Sequence, residues 1–146
     1  MDDVPAHDQT FTNRYVVAYP AHEPRKDDPH HVDFEAWKRR QRAEGKWRCA
    51  WAAEIDDDSE CDTTNPLEGH HAHLEMALLN AVSFARLEKD FPGISDPDKA
   101  GAWIDSDPNL ILYCRKHHRA AGAGVHELDS AMFEASHYIT TGTIKP

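Results

Sequence analysis

Apolar positions along the chain come in short bursts separated by polar stretches, and their spacing predicts a mixed architecture of small elements. Residues 1–32 are rich in Pro, Asp and His and carry no clear period; only FTNRYVVAY (11–19) reads as a short strand, and the rest as an arm. Asp33 is expected to cap a helix running to about Glu44, with Gly45 just past its end. Phe34 and Trp37 share one face of that helix, and Lys38, Arg39 and Arg42 spread over the other. WRCAWAAEIDDDSEC (47–61) reads as a loop closed by two cysteines.

Downstream, LEGHHAHLE (67–75) suits a short strand and EMALLNAVSFARLEKDF (75–91) the longest helix, with Met76, Leu79, Val82, Phe84 and Leu87 as its core stripe. Pro92-Gly93 ends it. DPDKAGAWID (96–105) predicts a short helix started by Asp96 with Pro97 in its first turn. NLILYCRKHHRAAG (109–122) reads as a buried strand running into a helix that the glycines at 122 and 124 break. AMFEASHYI (131–139) predicts a last short helix before the TTGTIKP tail. No internal repeat is visible. The expected class is α+β, organised as an arm (1–32), one domain (33–139) and a tail (140–146).

Composition adds three constraints. At 146 residues, 40% of them hydrophobic, the chain can build one modest core, for which a bound metal would be a useful staple. No apolar run reaches the roughly 18 residues of a membrane helix. The polar start MDDVPAHDQTF is no secretory signal, so a bacterial or phage-host cytosol is expected and no membrane partner. Three cysteines form a poor disulfide framework and point to metal instead.

The net charge of −10 disfavours a large nucleic-acid surface, but its distribution matters more than its sum. Residues 34–48 hold six Lys/Arg against two Asp/Glu, and residues 49–113 three against fourteen. Arg115, Lys116 and Arg119 form a second basic segment with no acid among them. Positive charge is thus expected beside the candidate site and acid elsewhere, although a solvated helix face would give the same pattern.

Cys49-x11-Cys61 followed by Cys114-x2-His117 supplies a Cys3His set, a common tetrahedral zinc shell, and uses every cysteine. The first spacing is longer than usual, so the DDDSE segment must bulge outward. The alternative leaves Cys49 and Cys61 as free thiols and Cys114 in the core.

The order LEGHH (67–71), DPNLILYCRKHHR (107–119) and GVH (124–126) resembles the HNH, or His-Me finger, endonuclease superfamily, and phage-encoded HNH proteins in particular. The resemblance covers residues 49–126. It implies a ββα-metal core with a helical insertion, a structural zinc and flanking helices. His71 then matches the general base that activates water, and Asn109 the residue that orients it through a backbone or side-chain hydrogen bond. His70 and His118 match ligands of a catalytic divalent ion (Mg2+, Mn2+ or another), and His117 stands where many relatives have the fourth zinc cysteine. His126 is a candidate third ligand. Its spacing of eight from His118, instead of four, requires the chain to loop back across Gly122 and Gly124. The long gap between His71 and Asn109 is a further departure. The His30-His31 pair reads as a chance pair in the arm, and His73 and His137 as surface or packing residues.

The chemistry fits these residue types. Phosphodiester hydrolysis needs a proton acceptor titrating near neutral pH and a cation opposite the developing negative charge. The resemblance thus implies a DNA endonuclease, with Lys38, Arg39, Arg42, Arg115, Lys116 and Arg119 contacting phosphates. The competing expectation is a catalytically silent HNH-fold zinc domain that binds a protein partner through its acidic surface. A structural piece of a larger complex such as phage packaging machinery is a third.

Overall fold

A computed structural model describes residues 19–21, 24, 26–128, 130–135 and 138. The strand expected over 11–19 lies, but for Tyr19, outside the described residues, as does the tail at 140–146. The described chain is a mixed α and β fold built on one two-stranded sheet.

The first helix, α1 (Pro29–Ala43), begins five residues before the expected start. Asp28, not Asp33, is its cap, accepting the His30 backbone N–H at 3.1 Å, and Pro29 supplies a first-turn φ already set for a helix. The expected arm boundary at residue 32 therefore falls inside α1, and His30 and His31 are helical. Trp37, 2% exposed, and the half-buried Phe34 pack on Leu67, Leu110 and Leu112.

Residues 47–61 are not all loop. AWAAEI forms α2 (Ala50–Ile55), since alanines strongly favour helix, and it stops at Asp56 in the left-handed region (φ 52°). Buried Trp51 and Ala52 carry α2 onto a core with Tyr113, Leu128 and Phe133, the last from α6 (Ser130–Ala135).

Strands β1 (Glu68–His71) and β2 (Leu110–Tyr113) pair antiparallel, with Glu68 opposite Tyr113 and His71 opposite Leu110. A Cβ on Gly69 would stand 2.5 Å from the Phe34 ring, so this glycine lets α1 lie close against β1. Helix α5 (Arg115–Arg119) follows β2 directly, so the chain runs from the sheet straight into it. It ends at Ala120 in extended conformation, ahead of the glycines expected to break it.

Three helical pieces separate the strands: a 3-10 helix (Met76–Ala81), α3 (Phe84–Asp90) and α4 (Pro97–Ile104). The single helix expected over 75–91 is broken at Val82 and Ser83, both extended. Asn80, Val82 and Ser83 fall close together there, and each weakens a helix through side-chain crowding or competing hydrogen bonds. No residue of either piece is fully buried, so their apolar stripe is not the core. Helix α4 starts as expected, with the Asp96 side chain accepting from the Lys99 N–H at 3.0 Å, and buries Ala100 and Ile104.

Candidate functional site

Two groups of donor atoms lie around the two-stranded sheet and α5. The first joins α2 to the start of α5. His117 Nδ1 lies 3.2 Å from Cys114 Sγ, 3.7 Å from Cys49 Sγ and 3.8 Å from Cys61 Sγ. In a tetrahedral shell with bonds of about 2.3 Å to sulfur and 2.05 Å to nitrogen, such atoms stand roughly 3.6 Å apart, so the set could hold a metal ion. Burial pushes the Cys49 and Cys61 thiols up; the neighbouring cysteines add to it at Cys61, while backbone hydrogen bonds pull against it at Cys49, and a bound cation would favour the thiolates. The His117 ring is 3% exposed and stacks on Trp51 at 4.0 Å, a contact that sets its orientation. Asp56, Asp57 and Asp58 are exposed beyond α2, outward of the cluster.

The second group sits across β1 and α5. His70 Nδ1 is 3.3 Å from His126 Nε2, which is 3.0 Å from His118 Nε2. Nitrogens sharing one ion at about 2.05 Å lie roughly 3.3 Å apart, so these three also suit a metal. His118 is turned by Glu68, whose Oε2 lies 2.7 Å from its Nδ1. His126 is brought back by a tight return: Gly124 N–H donates to Ala120 O, Val125 N–H to His117 O and His126 N–H to His118 O. Burial, then the neighbouring His126 and His118, push His70 down to about 4. Burial also pushes His118 down, against the pull of Glu68. At neutral pH both rings are uncharged and keep lone pairs for a ligand bond.

His71, next along β1, has a different environment. Its Nδ1 is 3.0 Å from Glu75 Oε2 and its Nε2 3.3 Å from Asp105 Oδ1. Burial alone would lower its pKa, but the two carboxylates outweigh that and push it up to about 9. The two carboxylates thus favour the charged ring when no cation is near, above the near-neutral range expected from the sequence. Asp105 is buried and also contacts His30 Nδ1, and the His30 ring stacks on His71 at 5.6 Å.

Asn109 is fully buried, and its side chain hydrogen-bonds backbone groups. Its Oδ1 accepts from the N–H groups of His73 (2.9 Å) and Leu74 (3.0 Å), and its Nδ2 donates to the carbonyls of Leu74 and Ile104 (both 2.9 Å). It pins the turn after β1 to the end of α4, and so positions His71 through the backbone instead of orienting the ring directly.

The expected segregation of charge does not hold. Lys38 pairs with Glu35, Lys116 with Glu60 and Arg119 with Glu68, while Arg42 stacks on Trp47 at 3.8 Å. Arg39 and Arg115 are exposed and in no ion pair among the described residues. Acid therefore lies at the site itself, as Glu68, Glu75 and Asp105. Sequence reasoning missed these three and His30. Glu75, four residues after His71, is the one whose spacing was readable.

The chain matches no family model, no curated protein and no solved structure. Among the described residues no helix is long and apolar enough to cross a membrane.

Proposed function

We propose that the protein is a metal-dependent DNA endonuclease of HNH type, with a ββα-metal core stapled by zinc at Cys49, Cys61, Cys114 and His117. The observation that carries this reading is the convergence of His70, His118 and His126 nitrogens at 3.0 and 3.3 Å beside a carboxylate-held His71. The donor set fits a divalent ion: three imidazoles from separate segments, one of them oriented by Glu68, with His126 on the exposed side.

When bound, that ion supplies positive charge opposite the phosphate and the departing 3′ oxygen, and opposes protonation of His71. His71 takes the proton from water. Its Nε2 faces Asp105, whose side chain is 1% exposed, whereas Nδ1 faces Glu75, which is 39% exposed. Nδ1 is therefore the nitrogen that solvent can reach once Glu75 moves aside. Asn109 keeps the backbone after β1 in place, and Arg39 and Arg115 contact phosphates without breaking an ion pair.

The test is nicking of supercoiled plasmid by metal-stripped, zinc-reloaded protein with Mg2+, Mn2+ or Ni2+, beside His71→Ala. Nicking that needs the ion and is lost in the variant supports the nuclease. Folded, metal-loaded protein that never nicks favours the second reading, a silent zinc domain that binds a protein partner. The pairing of Lys38, Lys116 and Arg119 with carboxylates is the observation on that side.

A further inference from the structure

We propose that His30, His71 and Asp105 form a second transition-metal site, distinct from the three-histidine centre, for a borderline divalent ion such as Zn2+, Co2+ or Ni2+. His70 and His71 are consecutive in β1 but join different groups of ligand atoms. On the His71 side, α1 contributes His30 and the residue following α4 contributes Asp105, and the three ligand atoms all lie within 4.8 Å of one another. Asp105 offers one oxygen to each ring: Oδ2 contacts His30 Nδ1, and Oδ1 is 3.3 Å from His71 Nε2.

Three features favour an ion over a plain ion pair. The side chains are 17%, 13% and 1% exposed, so the three ligand atoms are largely shielded from bulk water. A dication balances the two carboxylates facing His71, Asp105 and Glu75, together. The far nitrogen of His71 stands 3.0 Å from Glu75, the carboxylate–histidine–metal arrangement that orients metal-binding imidazoles elsewhere. A cavity of about 500 Å³, lined by His30, Phe34, Lys38, Gly69 and His71 among others, gives an ion a way in and room for an outside ligand. Two imidazoles with one carboxylate select transition metals over Mg2+.

The consequence for activity rests on the nuclease reading. With Nε2 on an ion, the remaining ring proton sits on Nδ1 toward Glu75, and His71 has no lone pair left for water. Filling this site therefore inhibits cleavage.

The test counts metal. Full-length protein is stripped, dialysed against excess Co2+ and analysed for ions bound per chain, beside His30→Ala and Asp105→Asn. The cobalt–thiolate absorption of the cysteine cluster reports an intact fold in each. Wild type is expected to hold one ion more than either variant, and Zn2+ added to a Mg2+-driven plasmid assay to inhibit wild type at least tenfold more strongly than His30→Ala. Equal counts in wild type and both variants overturn the second site, whether or not plasmid is cut. A lower count in the variants without any cutting supports the site and removes only the nuclease reading.

Discussion

The Nε2 atoms of His118 and His126 stand 3.0 Å apart although eight positions separate them in sequence. An uninterrupted helix places neighbours three or four positions apart, so this contact depends on the return made after α5. Gly124 is its tightest point: a Cβ there would lie 2.6 Å from Arg119 N and 2.7 Å from Arg119 Cα, both backbone atoms that cannot swing aside.

Gly124→Ala is therefore expected to displace His126. The clash should cost ~1–3 kcal/mol of stability. Ni2+ affinity at the three-histidine centre should fall about tenfold or more, as for other losses of support around a metal. Urea unfolding and calorimetric titration check both numbers. Wild-type affinity in the variant would mean that His126 is not a ligand.

The cysteine cluster should behave as a structural staple. A metal present at ~1,000 times its Kd adds about 4 kcal/mol to the folded state, so chelation or Cys114→Ser should lower Tm by about 10 °C or more. Differential scanning calorimetry with and without a strong chelator measures it. An unchanged Tm would leave the buried Cys114 as a core thiol only.

Asn109→Ala should destabilise strongly without removing any metal ligand. It leaves the N–H groups of His73 and Leu74 and the carbonyls of Leu74 and Ile104 without their partner. At ~1–3 kcal/mol per buried unsatisfied group, a loss of about 3 kcal/mol or more is expected in urea unfolding. A loss below ~1 kcal/mol would show that Asn109 does not carry the turn.

Much of this was legible in residue order, and the failures have identifiable causes. The set at Cys49, Cys61, Cys114 and His117 was readable because Cys and His at such spacings are common zinc ligands, and the set at His70, His118 and His126 through the motif order that resembles the HNH superfamily. The start of α4 was readable because Asp96-Pro97 is a local signal. The break at Val82–Ser83 was not, since the apolar period over 75–91 masks the clustered weak helix formers. The place of His30 was not, because its partner, Asp105, lies 75 positions away and only tertiary packing joins them. Charge segregation failed for the same reason: Glu60 and Glu68 reach Lys116 and Arg119 across more than 50 positions.

Glu68→Gln probes the outer support of the histidine centre. The substitution keeps the shape but removes the charge that faces His118 Nδ1 at 2.7 Å and Arg119. Removing such a partner weakens metal affinity ~10–100-fold, while the half-exposed Arg119 pair itself is worth no more than ~1 kcal/mol. Isothermal titration with Ni2+, paired with thermal unfolding, should show the affinity loss with a small stability change. Intact affinity would place Glu68 outside the ligand shell.

The central claim is that an ion on His70, His118 and His126 drives phosphodiester cleavage beside His71. The most direct measurement is the single-turnover nicking rate of supercoiled plasmid as a function of ion bound, for wild type, His118→Ala and His71→Ala, all with the cysteine cluster loaded. A rate that saturates with one ion on the histidine centre, falls with binding in His118→Ala and disappears at full occupancy in His71→Ala is the predicted result. Equal rates in all three proteins, or no cleavage by fully loaded wild type, would contradict it.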